Sequence, residues 1–401
     1  MDRSHSTHSD LLQQADSSSS YSANMDMQVH EEFTKWAVDH GAVINGVSPF
    51  RFPGKGLGLV ANKNFEIGNT LVRVPIKVLR KSTDVPSHYS ALAPDINVHA
   101  LLALTLDSLL GPEWKAALPS KQDMHSSMPL FWDPSLLELL PYSAQTLLKV
   151  QKEKIGSAWT VICKSFLEPP ISYDEFMYNY SIVNSRTFYY LSQTIKSSKL
   201  QPPKEDRLAL NPFADYMNHS SEPTVNATLS RAGYTFTASQ PIKEGSEVHI
   251  SYGSYNNDFL LVEYGFILDG NCWDEVTLDP WITPLLNPDL KENLKEMGFL
   301  GNYLLDRDTI CYRTQVVLRI LCLPLGRWKR FVQGLESEEV SQEAADKVLL
   351  QVLMVGMADV METIKRINKS HAGLDYQRDT LDRRSNQLVL LLEGALNRIK
   401  C

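Results

Sequence analysis

The chain has 401 residues, enough for two domains of ordinary size, each with its own core. Hydrophobic residues make up 43% and charged residues 21%, the balance of a soluble globular protein, and the net charge of -8 argues against broad phosphate-backbone binding. The five cysteines are widely spread with no Cys-x-x-Cys pair, which gives no sign of a disulfide framework or a four-thiolate zinc site and fits a reduced, cytosolic or nuclear protein.

Residues 1–26 are rich in Ser, His and Asp and read as a flexible tail around Ser17 to Ser20, with neither a secretory signal nor a plastid transit peptide. Glu31 to His40 then predicts a short helix with Phe33, Trp36 and Ala37 on one face and Gly41 ending it. From Val43 to Pro75, short β-branched runs at Leu57–Val60 and Thr70–Val74 alternate with Gly and Pro, the pattern of strands joined by tight turns. Residues from about 86 to 170 predict mostly helix. Asp107 interrupts the best apolar run, near Leu101 to Leu110, which falls short of the roughly 18 residues a membrane span needs.

Ser172 and Glu175 predict a capped helix running to Arg186. Strands return between Ala227 and Tyr252, with turns at Gly233 and at Lys243–Gly245. Beyond about Asp279 the pattern is helical, broken near Pro324 to Gly326, with apolar faces over Ala345–Ile367 and Leu388–Ile399. The predicted architecture is α+β: a β-rich first lobe with a helical insertion, then an all-helical second lobe.

Four stretches are candidates for chemistry. In Pro53-Gly-Lys-Gly-Leu-Gly-Leu59, alternating glycines suit either a hairpin turn or a close approach of backbone to a ligand. It is a poor phosphate loop, because Lys55 is followed by Gly56 and the segment runs into a strand rather than a helix. In Val183-Asn-Ser-Arg186-Thr-Phe188, the arginine late on a helix reads by position alone as a solvated surface group. Leu210-Asn-Pro-Phe-Ala-Asp-Tyr-Met-Asn-His-Ser220 is more specific. His249, in a strand, is the only candidate for a second metal ligand beside His219, so a metal site is not expected. About thirty residues on comes Glu247-Val-His-Ile-Ser-Tyr252-Gly253, then Glu263-Tyr264-Gly265-Phe266; a tyrosine at a strand end is more often core than catalyst.

In this order the four stretches resemble the SET-domain active site, in the branch typified by the Rubisco large-subunit lysine methyltransferases. The resemblance implies a SET domain with a pseudoknot over residues 27–275, its helical insertion at about 86–170, and a helical substrate-binding domain over 276–401. It implies S-adenosyl-L-methionine as methyl donor, contacted by Lys55, Gly56, Leu57 and Gly58 in the first loop. Arg186 would hold the donor's carboxylate through a bidentate fork. Asn218 and His219 would anchor its adenine and amino group, with Asp215 bracing the segment. Lys55 stands where relatives often carry an acid. Tyr252 would be the active-site tyrosine and also contact the donor, Tyr264 would be a second catalytic tyrosine, and Phe188, Ala214, Tyr264 and Phe266 would line the substrate channel. The resemblance also implies a protein substrate docked on the SET cleft and the helical domain.

Tyrosines suit this chemistry. The acceptor amine must be neutral to attack, and with a free-lysine pKa of ~10.4 that costs on the order of 4 kcal/mol near neutral pH. Burial in a narrow channel beside a positive sulfonium lowers the cost. A tyrosine hydroxyl orients the amine lone pair without competing as a nucleophile, and proximity supplies the rest. A histidine-directed branch carries a polar residue and a large aromatic at the positions of Phe188 and Ala214, so lysine is the expected acceptor in a non-histone protein. The other readings are a histidine-directed enzyme and a non-catalytic SET scaffold that grips a partner.

Overall fold

The computed structural model describes residues 27–53, 55–92, 95–192 and 203–400; the Ser-rich segment over residues 1–26, expected as a tail, lies outside them. A helix over residues 27–39 buries Phe33 and Ala37 and stops at Gly41, whose φ of 100° only glycine adopts readily. Strands β1 (Val43–Ile44), β2 (Val47–Phe52), β3 (Gly56–Ala61) and β4 (Thr70–Pro75) follow, the last two at the places the β-branched runs predicted. β2 and β3 form an antiparallel hairpin in register from Val47↔Ala61 to Phe52↔Gly56.

Further strands are β5 (Arg80–Lys81), β6 (Thr187–Tyr189), β7 (Leu208–Leu210), β8 (Asn218–His219), β9 (Val225–Leu229), β10 (Gly233–Ala238) and β11 (Glu247–Ile250). They assemble three sheets, ordered β1-β4-β10-β9, β2-β3-β11-β8 and β5-β7-β6. One connection governs the site. After β8 the chain leaves for the β9–β10 hairpin in another sheet and returns as β11, parallel to β8 with His249 opposite Asn218 and Ile250 opposite His219. Residues thirty apart in sequence are thereby hydrogen-bonded neighbours, which helical or strand periodicity cannot reveal.

The capped helix is Tyr173–Arg186, with the Ser172 side chain accepting from the Glu175 amide. Other helices include Val98–Leu109 and Tyr142–Ser165. Towards the C-terminus come Tyr312–Cys322, Leu325–Val332, Gln342–Lys369 and Asp375–Lys400. Pro324 caps the second of these four, accounting for the predicted break. The helical C-terminal region also holds a small antiparallel sheet, β12 (Glu275–Thr277) with β13 (Leu304–Asp306).

The chain resolves into two compact units: Met1–Ser120 with Ile155–Gly253, and Lys121–Lys154 with Ser254–Cys401. Part of the insertion thus groups with the C-terminal helices. The reason is hydrophobic: Trp132, Leu136 and Leu148 share one buried cluster with Leu261, Val262, Ile367 and Leu381. A second cluster in the same unit centres on Tyr303, Trp328, Leu353 and Leu392. Among the described residues no helix is long and apolar enough to cross a membrane.

Candidate active site

In the first unit, the Asn211–His219 segment folds as a 3-10 turn, Ala214–Tyr216, followed by β8. The turn is entered through Phe213 at a φ of 66°, a left-handed conformation that a bulky residue adopts only under outside support. Phe213 and Ala214 are fully buried, and Tyr216 nearly so.

Arg186 is the last residue of its helix, where the helix dipole favours a cation. Its Nη1 donates to the Asp215 carbonyl at 3.0 Å and approaches Asp215 Oδ2 at 3.4 Å. Burial pushes the Asp215 carboxyl above the usual carboxylate range, against the opposing pull of Arg186. The remaining guanidinium donors of Arg186 meet no protein acceptor among the described residues, although the side chain is 20% exposed. That leaves a planar fork available to a carboxylate.

The Asn218 amide ties three motifs together. Its Nδ2 donates to the Leu57 carbonyl at 3.1 Å and to Glu247 Oε1 at 2.8 Å. Glu247 also accepts from Lys55 Nζ at 3.2 Å and pairs with His249 Nε2 at 3.1 Å. Burial opposes ionisation of Glu247, but the hydrogen bonds from His249, Asn218 and Lys55, with the charge of His249, pull its carboxyl down to about 2. Gly58 is required here: a Cβ on it would lie 2.8 Å from Asn218 Nδ2 and 2.9 Å from Glu247 Oε1. Gly56, at a φ of 81°, instead faces open space. Lys55, the departure from relatives' acid, is thus turned to Glu247.

Tyr252 lies two residues beyond β11. Its hydroxyl donates to the Met217 carbonyl at 2.9 Å, its amide donates to His219 Nδ1 at 3.1 Å, and its ring stacks on that of His219 at 5.1 Å. Burial pushes the phenol up to about 12, so it stays protonated at physiological pH. Burial likewise lowers the His219 imidazole. Phe188 sets its ring edge-on against Tyr234 and Phe236, at 5.6 and 5.9 Å.

The first unit therefore brings Lys55, Leu57, Gly58, Arg186, Asp215, Asn218, His219 and Tyr252 into one connected group. Glu247 and His249 belong to it as well and were missed as site residues. The available signal was their i, i+2 spacing on a strand, which puts both side chains on one face. His249 serves Glu247 rather than a metal, and among the described residues no His/Cys/Asp/Glu group could hold a metal ion.

Tyr264 and Phe266 lie in the second unit, their rings 6.3 Å apart. Tyr264 ends the helix Asn257–Tyr264, which Gly265 closes in the left-handed conformation at a φ of 80°. Tyr255 and Phe259 stack at 4.2 Å and extend this aromatic group, an addition that the motif did not predict. The helix is anchored from beneath by Asn257, whose amide donates to the Leu268 carbonyl at 2.9 Å and to Gln387 at 2.8 Å.

A family described as "SET domain" matches residues 56–253, and one described as "Ribosomal lysine N-methyltransferase 2 C-terminal domain" matches residues 274–398. The chain is 27% identical to "SET domain-containing protein 4" of Mus musculus, covering 82% of this chain and 81% of the relative. It is 26% identical to "Ribosomal lysine N-methyltransferase 2" of Saccharomyces cerevisiae, covering 66% of this chain and 64% of the relative. The solved structure "Structure of Rubisco LSMT bound to AdoMet" superposes with a TM-score of 0.63 at 19% identity, over 93% of this chain and 91% of the other. The fold and its matched segments define a SET-domain methyltransferase, which uses S-adenosyl-L-methionine. Within that class the chain is a protein-lysine methyltransferase, a SET domain followed by a C-terminal domain of the ribosomal lysine methyltransferase type, in a fold like that of Rubisco LSMT.

The residues present fit the donor. The Arg186 fork has unused donors, Gly56 leaves open space, and the Gly58–Asn218 contact tolerates no side chain between them.

Proposed function

We propose that the protein methylates the side-chain amine of a lysine in a non-histone protein, with a ribosomal protein foremost among the candidates. Support for the target class comes from the matched C-terminal family and from the yeast relative, both named for ribosomal lysine methylation. We further propose that residues 27–275 perform the transfer and that 276–401 docks the protein substrate. Arg186, Asp215, Asn218, His219 and the Lys55–Gly58 loop would hold S-adenosyl-L-methionine. The family resemblance assigns Phe188, Ala214, Tyr264 and Phe266 to the lysine channel.

The observation that carries the reading is the hydroxyl of Tyr252, donated to the Met217 carbonyl inside the Asn218 segment. Because its one proton is engaged, the phenol oxygen presents lone pairs, and an acceptor amine can donate N–H to them. With its acidity suppressed by burial, the phenol is neither a base nor a competing nucleophile near pH 7. Its role is orientation: it fixes the amine so that the nitrogen lone pair points away from the phenol. S-adenosyl-L-methionine, when bound, supplies a sulfonium methyl group to that lone pair. Phe188 and the buried Ala214, which the resemblance assigns to the channel, would offer an ammonium no compensating charge there, which favours the neutral amine.

The test is incubation of a cell lysate with purified enzyme and isotopically labelled S-adenosyl-L-methionine, followed by mass spectrometry of the labelled band. A labelled lysine that disappears with Tyr252→Phe supports the proposal. A labelled histidine would redirect it to the branch of "Actin-histidine N-methyltransferase" from Mus musculus, 23% identical over 62% of this chain and 44% of the relative. No label, with no binding of S-adenosyl-L-methionine, would leave a scaffold.

A further inference from the structure

The helix over residues 27–39 precedes the segment matched by the SET family, yet it reaches the centre of the candidate site. His30 Nδ1 and the Tyr216 hydroxyl are 2.7 Å apart, and the two residues are only 6% and 3% exposed. Which of them donates follows from the imidazole tautomer. Their rings meet edge-on at 5.4 Å, and Phe33 from the same helix and Phe213 pack edge-on on the same tyrosine at 5.8 and 5.7 Å. Phe33 in turn stacks on the buried Trp114 at 5.8 Å.

Tyr216 closes the 3-10 turn that opens at the left-handed Phe213. The two backbone acceptors that organise the site flank Tyr216 directly. The Asp215 carbonyl receives Arg186, and the Met217 carbonyl receives the Tyr252 hydroxyl. A turn in an unfavoured conformation keeps its carbonyls aimed only if its surroundings over-determine it. Part of that polar constraint comes from a side chain 186 positions away, which bonds to Tyr216 itself.

We propose that His30, acting through Tyr216, is a positioning residue for the S-adenosyl-L-methionine site, so that the N-terminal helix belongs to the cofactor-binding machinery. This rests on the functional reading above. The hydrogen bond holds the Ala214–Tyr216 turn in register with Arg186. Without it the turn relaxes and the Arg186 fork is no longer pre-aimed at the donor's carboxylate.

The test uses the full chain with His30→Leu, Tyr216→Phe, the double variant and His30→Asn, whose amide stands at the δ position that the imidazole Nδ1 occupies. Calorimetry reads the Kd for S-adenosyl-L-methionine, and melting curves establish that each variant is folded. Each single change should raise Kd roughly fivefold, as expected for one lost buried hydrogen bond. The double variant should be no weaker than either single one, because both remove the same interaction. His30→Asn should recover most of the affinity, and in turnover assays the effect should fall on KM for the cofactor more than on kcat. Should His30→Leu fail to fold, the nearly isosteric Tyr216→Phe gives the same reading alone. A Kd equal to wild type in a folded Tyr216→Phe, whatever its melting temperature, overturns the proposal, as do losses that multiply in the double variant. Absence of binding by the wild-type chain would overturn the functional reading together with this one.

Discussion

The Tyr252 hydroxyl donates to the Met217 carbonyl at 2.9 Å, although 35 residues separate the two. This bond joins the end of β11 to the segment just before β8 and turns the phenol towards the Asn218 loop rather than away from it. Tyr252→Phe removes the hydroxyl and leaves a buried carbonyl unpaired, for a loss of about 1 kcal/mol of stability. Turnover should fall at least ~100-fold, as when a preorganised donor or acceptor is removed from an active site, while S-adenosyl-L-methionine still binds. Steady-state assays and calorimetry check both halves; a variant that keeps its turnover would remove Tyr252 from the mechanism.

Arg186→Lys keeps the charge and loses the planar fork. A lysine ammonium can satisfy the Asp215 carbonyl that Arg186 contacts at 3.0 Å, but it cannot also present two parallel donors to a carboxylate. The affinity for S-adenosyl-L-methionine should drop on the order of tenfold, equivalent to ~1.4 kcal/mol, with little change in melting temperature. Unchanged affinity by calorimetry would mean that another group holds the carboxylate.

Gly58→Ala and Gly56→Ala separate steric from conformational need. At Gly58 the new methyl would sit 2.8 Å from Asn218 Nδ2, so the amide must leave Leu57 and Glu247, and overpacking of this kind costs about 1–3 kcal/mol. At Gly56 there is open space and only the φ of 81° resists, for about 1 kcal/mol. Binding of S-adenosyl-L-methionine should be lost in the first variant and retained, though weakened, in the second. Equal effects in the two would contradict the Asn218 contact as the reason for the glycine.

Glu247 makes stability depend on acid. Its carboxyl is lowered from 4.5 to about 2 in the folded chain, so the stabilisation is fully present above pH 4.5 and is lost as pH falls from there towards 2. After allowance for solvent screening at this partly accessible cluster, the contribution is on the order of 1–2 kcal/mol. Urea unfolding between pH 6 and pH 2.5 should show a steeper decline in wild type than in Glu247→Gln. Parallel curves would assign the acid sensitivity elsewhere.

Arg384 is a buried cation of the second unit, donating to Asp258 at 2.7 Å and to Asp274 at 2.6 Å from a fully buried side chain. Asp258 also accepts from Ser143 Oγ at 2.5 Å. Arg384→Met strands two buried carboxylates and should cost about 3–5 kcal/mol in denaturant unfolding. Replacing Arg384, Asp258 and Asp274 together by apolar residues should cost less, because no unpaired charge remains. If the single variant lost no more than the triple, the pairing would not be what stabilises this core.

Local signals carried much of the fold. The Ser172 cap, the helix ending at Arg186, strands β3 and β4, and the break at Pro324 follow from turn chemistry, capping and side-chain periodicity, all of which act within a few residues. The motifs likewise named most of the candidate site before any contact was known. Glu247 and His249 escaped because their roles depend on Lys55 and Asn218, brought near by strand pairing over long sequence distances. The grouping of residues 121–154 with the C-terminal helices escaped for a related reason. Trp132 and Leu148 signal burial, but nothing in their spacing names Leu261 or Leu381 as the partner.

By itself, then, the sequence determined the element types, the glycine and arginine positions, and the family to which the chain belongs. Only the tertiary structure decided that Tyr252 answers to Met217, that Glu247 gathers three motifs, and that His30 braces Tyr216. The physical reason is range. Backbone preferences are settled between neighbours along the chain, whereas a buried hydrogen bond needs a partner that only the folded topology supplies.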